Sequence, residues 1–316
     1  MEVTTLMHRL GGSATSRQLL ARMGRRQVDT AVADGTILRL GRGRYVLPTA
    51  SEGEQAAARL KGVAGLRTAA ASWGWALKSQ PDRPEIIVPR GRKVPAAHQQ
   101  ACAVRWRRLE AHDVAGWRTA PIRTVTDCAT TFPFDEALAI ADSALRAGSV
   151  TSWDLSSAAD ALPGRGRERA LDIAWYASDL SAGPFESVVR AISIEHVPGA
   201  RLVPQVRLTV GGRRIRPDLV DRELRLVVEA DSHEFHTSRA RIDGDCRRYD
   251  ELLLDDWLVL RFSWVQAMFE QDWVASVLNR GVYRQARILG TRIAEMRAHG
   301  RGRPLPVPTD DRWSRG

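Results

Sequence analysis

Along residues 4–48 the apolar positions fall into short helical sets interrupted by glycine. Thr15 followed by Gln18 has the spacing of a capping box and opens a helix through Leu19, Leu20 and Met23. Gly24 breaks that helix, and Arg25 to Ala33 forms a second one with Val28, Ala31 and Val32 on its apolar side. Gly35 ends it. Ile37, Leu38 and Leu40 lead to the turn Gly41-Arg42-Gly43, from which Tyr45-Val46-Leu47 returns as a second strand. Helix, helix and a two-stranded wing is the order of a winged helix-turn-helix, here over residues 1–50.

A middle region, 51–165, reads as mainly helical at 56–60, 68–77, 123–130 and 134–146, with short strand signals at 85–89 and 103–109. Turn formers at 162–167 mark a boundary. The block 168–298 alternates helical and strand patterns. A helix over 169–178 is followed by another that starts at Gly183-Pro184, with proline at its first position and Phe185, Val188, Val189 and Ile192 as its stripe. Strand signals follow at 203–210, 213–220 and 224–230, then a helix over 241–254, a strand over 258–263 and a helix over 272–298. The fold class is therefore α/β in the α+β sense. The tail, 299–316, is rich in Gly, Pro and Arg and reads as disordered.

The strongest chemical signal lies in that last block. Arg216-Pro217-Asp218-Leu219-Val220 and Leu224 to Asp231 make a hairpin pattern, with Asp218 ending the first strand and Glu229 and Asp231 ending the second. Residues i and i+2 of a strand share a face, so Glu229 and Asp231 point the same way, and the hairpin brings Asp218 beside them. Like charges held that close are costly unless a cation neutralises them. Hard oxygen donors select Mg²⁺, Mn²⁺ or Ca²⁺. A cation among carboxylates suits phosphodiester hydrolysis. Glu186, near a helix start, is a fourth candidate, either as metal ligand or as partner of the helix dipole. His233 and His236 follow the carboxylates, and either suits proton transfer near neutral pH, with His236 preferred. Arg247 and Arg248 lie in the next helix, where one of them suits a phosphate clamp.

Charge strengthens the case for a polyanionic partner. The 316 residues carry 47 basic and 37 acidic side chains, a net charge of +10, and only Lys61, Lys78 and Lys93 are lysines. In the head, Arg25 and Arg26 open the second helix, and Arg39, Arg42 and Arg44 decorate the wing, the positions from which such heads meet bases and phosphates. No run of about 18 apolar residues exists to span a membrane. The N-terminus has no signal-peptide pattern, and Cys102, Cys128 and Cys246 stand apart, read as buried free thiols in a reducing cytoplasm.

Taken together, Asp218, Glu229-Ala230-Asp231, His236, Arg248 with Leu252, and Asp256-Trp257-Leu258-Val259-Leu260-Arg261-Phe262 resemble the very-short-patch-repair-like endonuclease branch of the PD-(D/E)XK superfamily, over roughly residues 180–280. The resemblance implies a mixed sheet flanked by helices, a divalent metal (Mg²⁺ or Mn²⁺) and DNA nicking or cleavage. By position, Glu186, Asp218 and Glu229 match the family's helix acid and two strand acids, and His236 matches the histidine after the sheet. Asp231 stands where the superfamily has a lysine, Ser232 and Asp256 where the branch has glycines, and Arg248-Tyr249 where it has Arg-Asp. The head is similar to that of AbiE-type abortive-infection antitoxins. The region that follows, with Leu66-Arg67-Thr68-Ala69-Ala70-Ala71 and Thr119-Ala120-Pro121-Ile122-Arg123-Thr124, resembles theirs as well. That likeness implies promoter binding or a part in phage defence, with a toxin or other defence partner. The expectation is a metal-dependent DNA endonuclease guided by its head. The alternatives are a non-catalytic DNA-binding regulator with a degenerate nuclease domain and, less favoured, an RNA substrate.

Overall fold

The structure, a computed structural model, describes residues 2–164, 166–231 and 239–290, with only the backbone of 239–243. It is a mixed α/β chain that divides into two compact units, Met1–Phe132 with Ala147–Ala170, and Pro133–Arg146 with Leu171–Gly316. Among the described residues no helix is long and apolar enough to cross a membrane. The expected disordered tail and His233 and His236 lie outside the described residues.

The first unit opens with α1 (Val3–Arg9), β1 (Ser13–Thr15), α2 (Ser16–Leu20), α3 (Arg25–Ala33), β2 (Leu38–Gly41) and β3 (Arg44–Val46). The strands form an antiparallel sheet in the order β1-β3-β2. The Thr15 capping box forms in full: the Gln18 N–H donates to Thr15 Oγ1 at 3.1 Å, and the Thr15 N–H donates to Gln18 Oε1 at 2.8 Å. Leu6, Met7, Leu19, Val28, Ile37 and Tyr45 bury themselves in one cluster between these elements.

The same unit continues with α4 (Glu52–Leu60), β4 (Val63–Ala64), α5 (Leu66–Ser72), β5 (Glu85–Val88), α6 (Ala96–Ala101), β6 (Ala103–Trp106), β7 (Val114–Ala115), β8 (Arg118–Thr119) and α7 (Pro121–Thr131). The middle region is thus not simply helical. It contains a mixed sheet in the order β6-β5-β4-β8-β7. Strands of two residues carry no readable alternation, and glycine lets them crowd. A Cβ on Gly62 would come within 2.7 Å of the Ile87 carbonyl.

Helix α8 (Phe134–Arg146) belongs to the second unit, whereas α9 (Ser152–Asp160) and the start of α10 (Gly166–Tyr176) belong to the first. A single boundary at 165 therefore does not describe the packing. The reason is α8 itself, buried along nearly its whole length and packed on the second unit's α11 (Pro184–His196). Asp142 of α8 and Arg190 of α11 form a buried ion pair at 2.7 Å, and Ser187 Oγ donates to Asp142 at 2.7 Å.

The second unit then runs β9 (Val203–Pro204), β10 (Leu208–Val210), β11 (Arg213–Ile215), β12 (Leu219–Asp221), β13 (Leu226–Asp231), α12 (Arg239–Leu254), β14 (Leu258–Ser263), α13 (Trp264–Phe269) and α14 (Gln271–Ile288). One sheet has the order β14-β13-β12-β9, with β13 and β14 parallel and the other pairs antiparallel. The single strand expected over 213–220 is two. Pro217 has no N–H for a ladder, so β11 pairs back onto β10 while β12 joins the sheet. Val188, Val189, Ile192, Leu219, Val228, Phe262 and Leu278 form the core between α11, α14 and the sheet. Cys102 and Cys128 are buried as expected, but Cys246 is exposed, because it lies well round α12 from the buried Leu252.

A candidate carboxylate site at the sheet end

The register of the β12–β13 hairpin decides the site. Leu219 pairs with Val228, so Asp218, one residue before β12, stands opposite Glu229. The Ala230 N–H donates to Asp218 Oδ2 at 2.9 Å, and the Asp218 N–H lies 3.5 Å from Glu229 Oε2. Glu186 comes to the same place from the first turn of α11. Its Oε2 accepts the Ala182 N–H at 3.0 Å, just ahead of the helix, and its Oε1 accepts from Gln205 Nε2 at 3.0 Å. Gln205 Nε2 also lies 3.3 Å from Asp218 Oδ1. One amide thus bridges two carboxylates.

Gln205 is the residue the sequence did not reveal. It follows β9 with φ at +56°, a left-handed conformation that a side-chain-bearing residue seldom adopts. The Gln205 N–H donates to the Asp218 carbonyl at 2.8 Å, which holds it there. Such strain at a polar cluster is a mark of sites under functional constraint.

Glu186 and Glu229 are only 6% and 5% exposed. Burial pushes Glu186 up to about 7, with the Asp218 charge adding to the effect and the Ala182 N–H opposing it. Burial also pushes Glu229 up to about 7, with Arg248 opposing and Asp218 adding. Arg248 of α12 sets Nη1 3.2 Å from Glu229 Oε1 and Nη2 3.2 Å from Asp245, and it donates to Tyr249 Oη at 2.9 Å. The Arg248 contact is an ion pair and not an aligned hydrogen bond, so Glu229 Oε1 is buried with no hydrogen-bond partner among the described residues.

Asp231 does not join the three acids. It is ion-paired with Arg261 of β14, a residue in register with Glu229, and the Arg261 guanidinium stacks 4.6 Å from the centre of the Tyr249 ring. Arg247 is exposed. In the head, Arg25 and Arg26 open α3 and are exposed, as are Arg39 and Arg42, while Arg44 is half-buried on β3.

The donor set has the chemistry of a hard divalent cation, and the orphaned Oε1 of Glu229 is an acceptor without a donor. Among the described residues, however, no three His, Cys, Asp or Glu side chains stand close enough to share an ion. The Gln205 amide and the Arg248 guanidinium hold the carboxylate oxygens in the stead of a cation.

No protein-family model matches the chain, and no curated protein does. Among solved structures, the RV2827C protein from Mycobacterium tuberculosis is similar, with 16% identity over 65% of this chain and 83% of its own and a TM-score of 0.32. A likeness that slight carries no argument about this chain.

Proposed function

We propose that the chain is a metal-dependent DNA endonuclease of the PD-(D/E)XK type that works in the cytoplasm. The observation that carries the reading is the convergence of Glu186, Asp218 and Glu229 at one sheet end, with two of them buried and held near neutral pH. Such carboxyls are costly to ionise without a cation, and perturbed acids of this kind concentrate at functional sites. The order helix, strand, helix, helix, strand, strand over Val3–Val46 supports a winged helix-turn-helix head, with Arg25, Arg26, Arg39 and Arg42 free to face DNA.

In this reading Asp218, Glu229 and Glu186 would be the ligands, drawn closer together by the ion than they stand in the structure. When bound, Mg²⁺ or Mn²⁺ supplies Lewis-acid polarisation of water and of the phosphate. Arg248 keeps Glu229 oriented and balances its charge, and Gln205 keeps Glu186 and Asp218 together. His236, assigned from sequence, moves the proton, and Arg248 would clamp a phosphate oxygen.

Calorimetric titration of Mn²⁺ or Mg²⁺ into wild type and Asp218→Ala, then plasmid nicking by the same samples, tests the proposal. Binding lost in the variant, with nicking by wild type alone, supports it. Absence of binding and of nicking with either metal sinks it. A second reading, a DNA-binding regulator with a retired site, is favoured by Gln205 and Arg248 standing where a cation would be, and that negative outcome would select it.

A further inference from the structure

Between Glu195 and Asp218 the chain carries Arg201, Arg207, Arg213, Arg214 and Arg216 and no acidic residue. Four of these arginines belong to or flank the β10–β11 hairpin, which runs directly through Pro217 into Asp218 of the carboxylate cluster. Leu208 and Val210 turn inward and pack, with Ile215 half-buried beside them, on Val220, Val227 and Leu252. Thr209 is paired with Arg214 on the outward side, and the strand period brings Arg207 and Arg216 to that side as well. All four arginines are exposed. Arg222, also exposed, joins them at the base, where its Nη2 donates to the Arg207 carbonyl at 2.9 Å. None of the five has an acidic partner among the described residues.

The turn is Gly211-Gly212, with φ of +54° and +73°, so the ribbon reverses in two residues and its tip carries no side chain. Glu251 lies against Gly211, where a Cβ would come within 2.1 Å of its carboxylate. Arg214 and Arg216 are about 7 Å apart along the strand at roughly 3.3 Å per residue. That is about twice the 3.4 Å axial spacing of phosphates along one DNA strand. A two-stranded ribbon fits the major groove of B-form DNA, whereas the major groove of A-form RNA is too narrow for side chains to read.

We propose that the β10–β11 hairpin is an arm that grips the phosphate backbone of double-stranded DNA beside the carboxylate cluster. The inference rests on DNA being the ligand, as in the endonuclease reading, but not on hydrolysis.

The test is binding of a mixed-sequence DNA duplex to the full chain, by fluorescence anisotropy across a salt series with EDTA present, so that no cutting enters. The variants are Arg214→Gln with Arg216→Gln and, as an equal charge loss elsewhere, Arg284→Gln with Arg287→Gln on α14. Each lost phosphate contact flattens the plot of log K against log salt by about 0.9. The hairpin variant is expected to lose about two in slope and tens-fold in affinity near 0.1 M salt, with an unchanged melting temperature. The α14 variant is expected to keep the wild-type slope. Equal slopes for wild type and hairpin variant overturn the proposal, as does an equal loss in the α14 variant or a loss confined to single-stranded DNA or RNA. Failure of nicking with any metal, alongside a hairpin-dependent salt slope, would remove the endonuclease reading and leave the arm standing.

Discussion

Glu186 offers the sharpest test of the site's electrostatics. Its carboxyl is held near 7 by burial, against 4.5 when free. Raised in the folded state, it takes up protons there more readily than in the unfolded chain. Its stabilising effect is full below about pH 4.5, declines as pH rises, and is gone above about pH 7. At about 1.4 kcal/mol for each tenfold step in proton affinity, ionising it costs the fold about 3 kcal/mol. Glu186→Gln removes that cost. One of the Ala182 and Gln205 donors then faces an NH₂ group, a loss of roughly 1 kcal/mol that is the same at every pH. The readout is therefore the difference in unfolding free energy between about pH 5 and about pH 8 in urea with a chelator present. Wild type is expected to lose stability over that range, and the variant to lose about 2.5 kcal/mol less. Asp221 and Glu229, whose burial also raises their carboxyls, keep part of the decline in both proteins. If the two proteins fall by the same amount, burial of Glu186 does not hold its proton and the reasoning fails.

Arg248→Met should remove the charge that balances Glu229. Leaving one member of a buried pair costs about 3–5 kcal/mol, most at high pH, and fluorescence-detected unfolding at about pH 8 would show it; a variant as stable as wild type would deny the pair any role. Asp256→Gly should raise the melting temperature by a few degrees. Asp256 sits at φ +60°, and glycine occupies that region without the roughly 1 kcal/mol penalty; a lowered melting temperature would contradict this.

Much of the second unit was legible because its signals are local. Pro184 at the first turn of α11 fixes where that helix starts, and the apolar opening Leu258-Val259-Leu260 of β14 suits a parallel strand with a partner register from Leu226 to Asp231. The i, i+2 relation of Glu229 and Asp231 was equally readable, but not their divergence. Arg261, thirty residues on, captures Asp231, and only the parallel register places it there. Gln205 was invisible for a similar reason, since its value comes from a left-handed backbone imposed by the Asp218 carbonyl. Asp256 explains a departure noted in the sequence: the position needs a positive φ, which glycine fills freely and aspartate tolerates. In the first unit, β5 and β6 were legible as strand signals, but β4, β7 and β8 are too short to carry a pattern, so the mixed sheet they complete was not read.

The chain path through the two units has a bearing on how this protein can be inherited and handled. Residues 133–146 belong with the second unit, 147–170 with the first, and the chain then returns. The carboxylate unit is consequently not a contiguous cassette. Cutting the gene at the Pro163-Gly164 turn would discard α8, and with it Asp142, which pairs with the buried Arg190 three residues from Ser187 and one helical turn from Glu186. A transplanted C-terminal segment would carry every metal-binding candidate and lack the helix that steadies one of them. During synthesis, too, the second unit cannot close until a segment made long before its sheet has been joined to it. Recombination that shuffles whole modules would have to move the interleaved pair together.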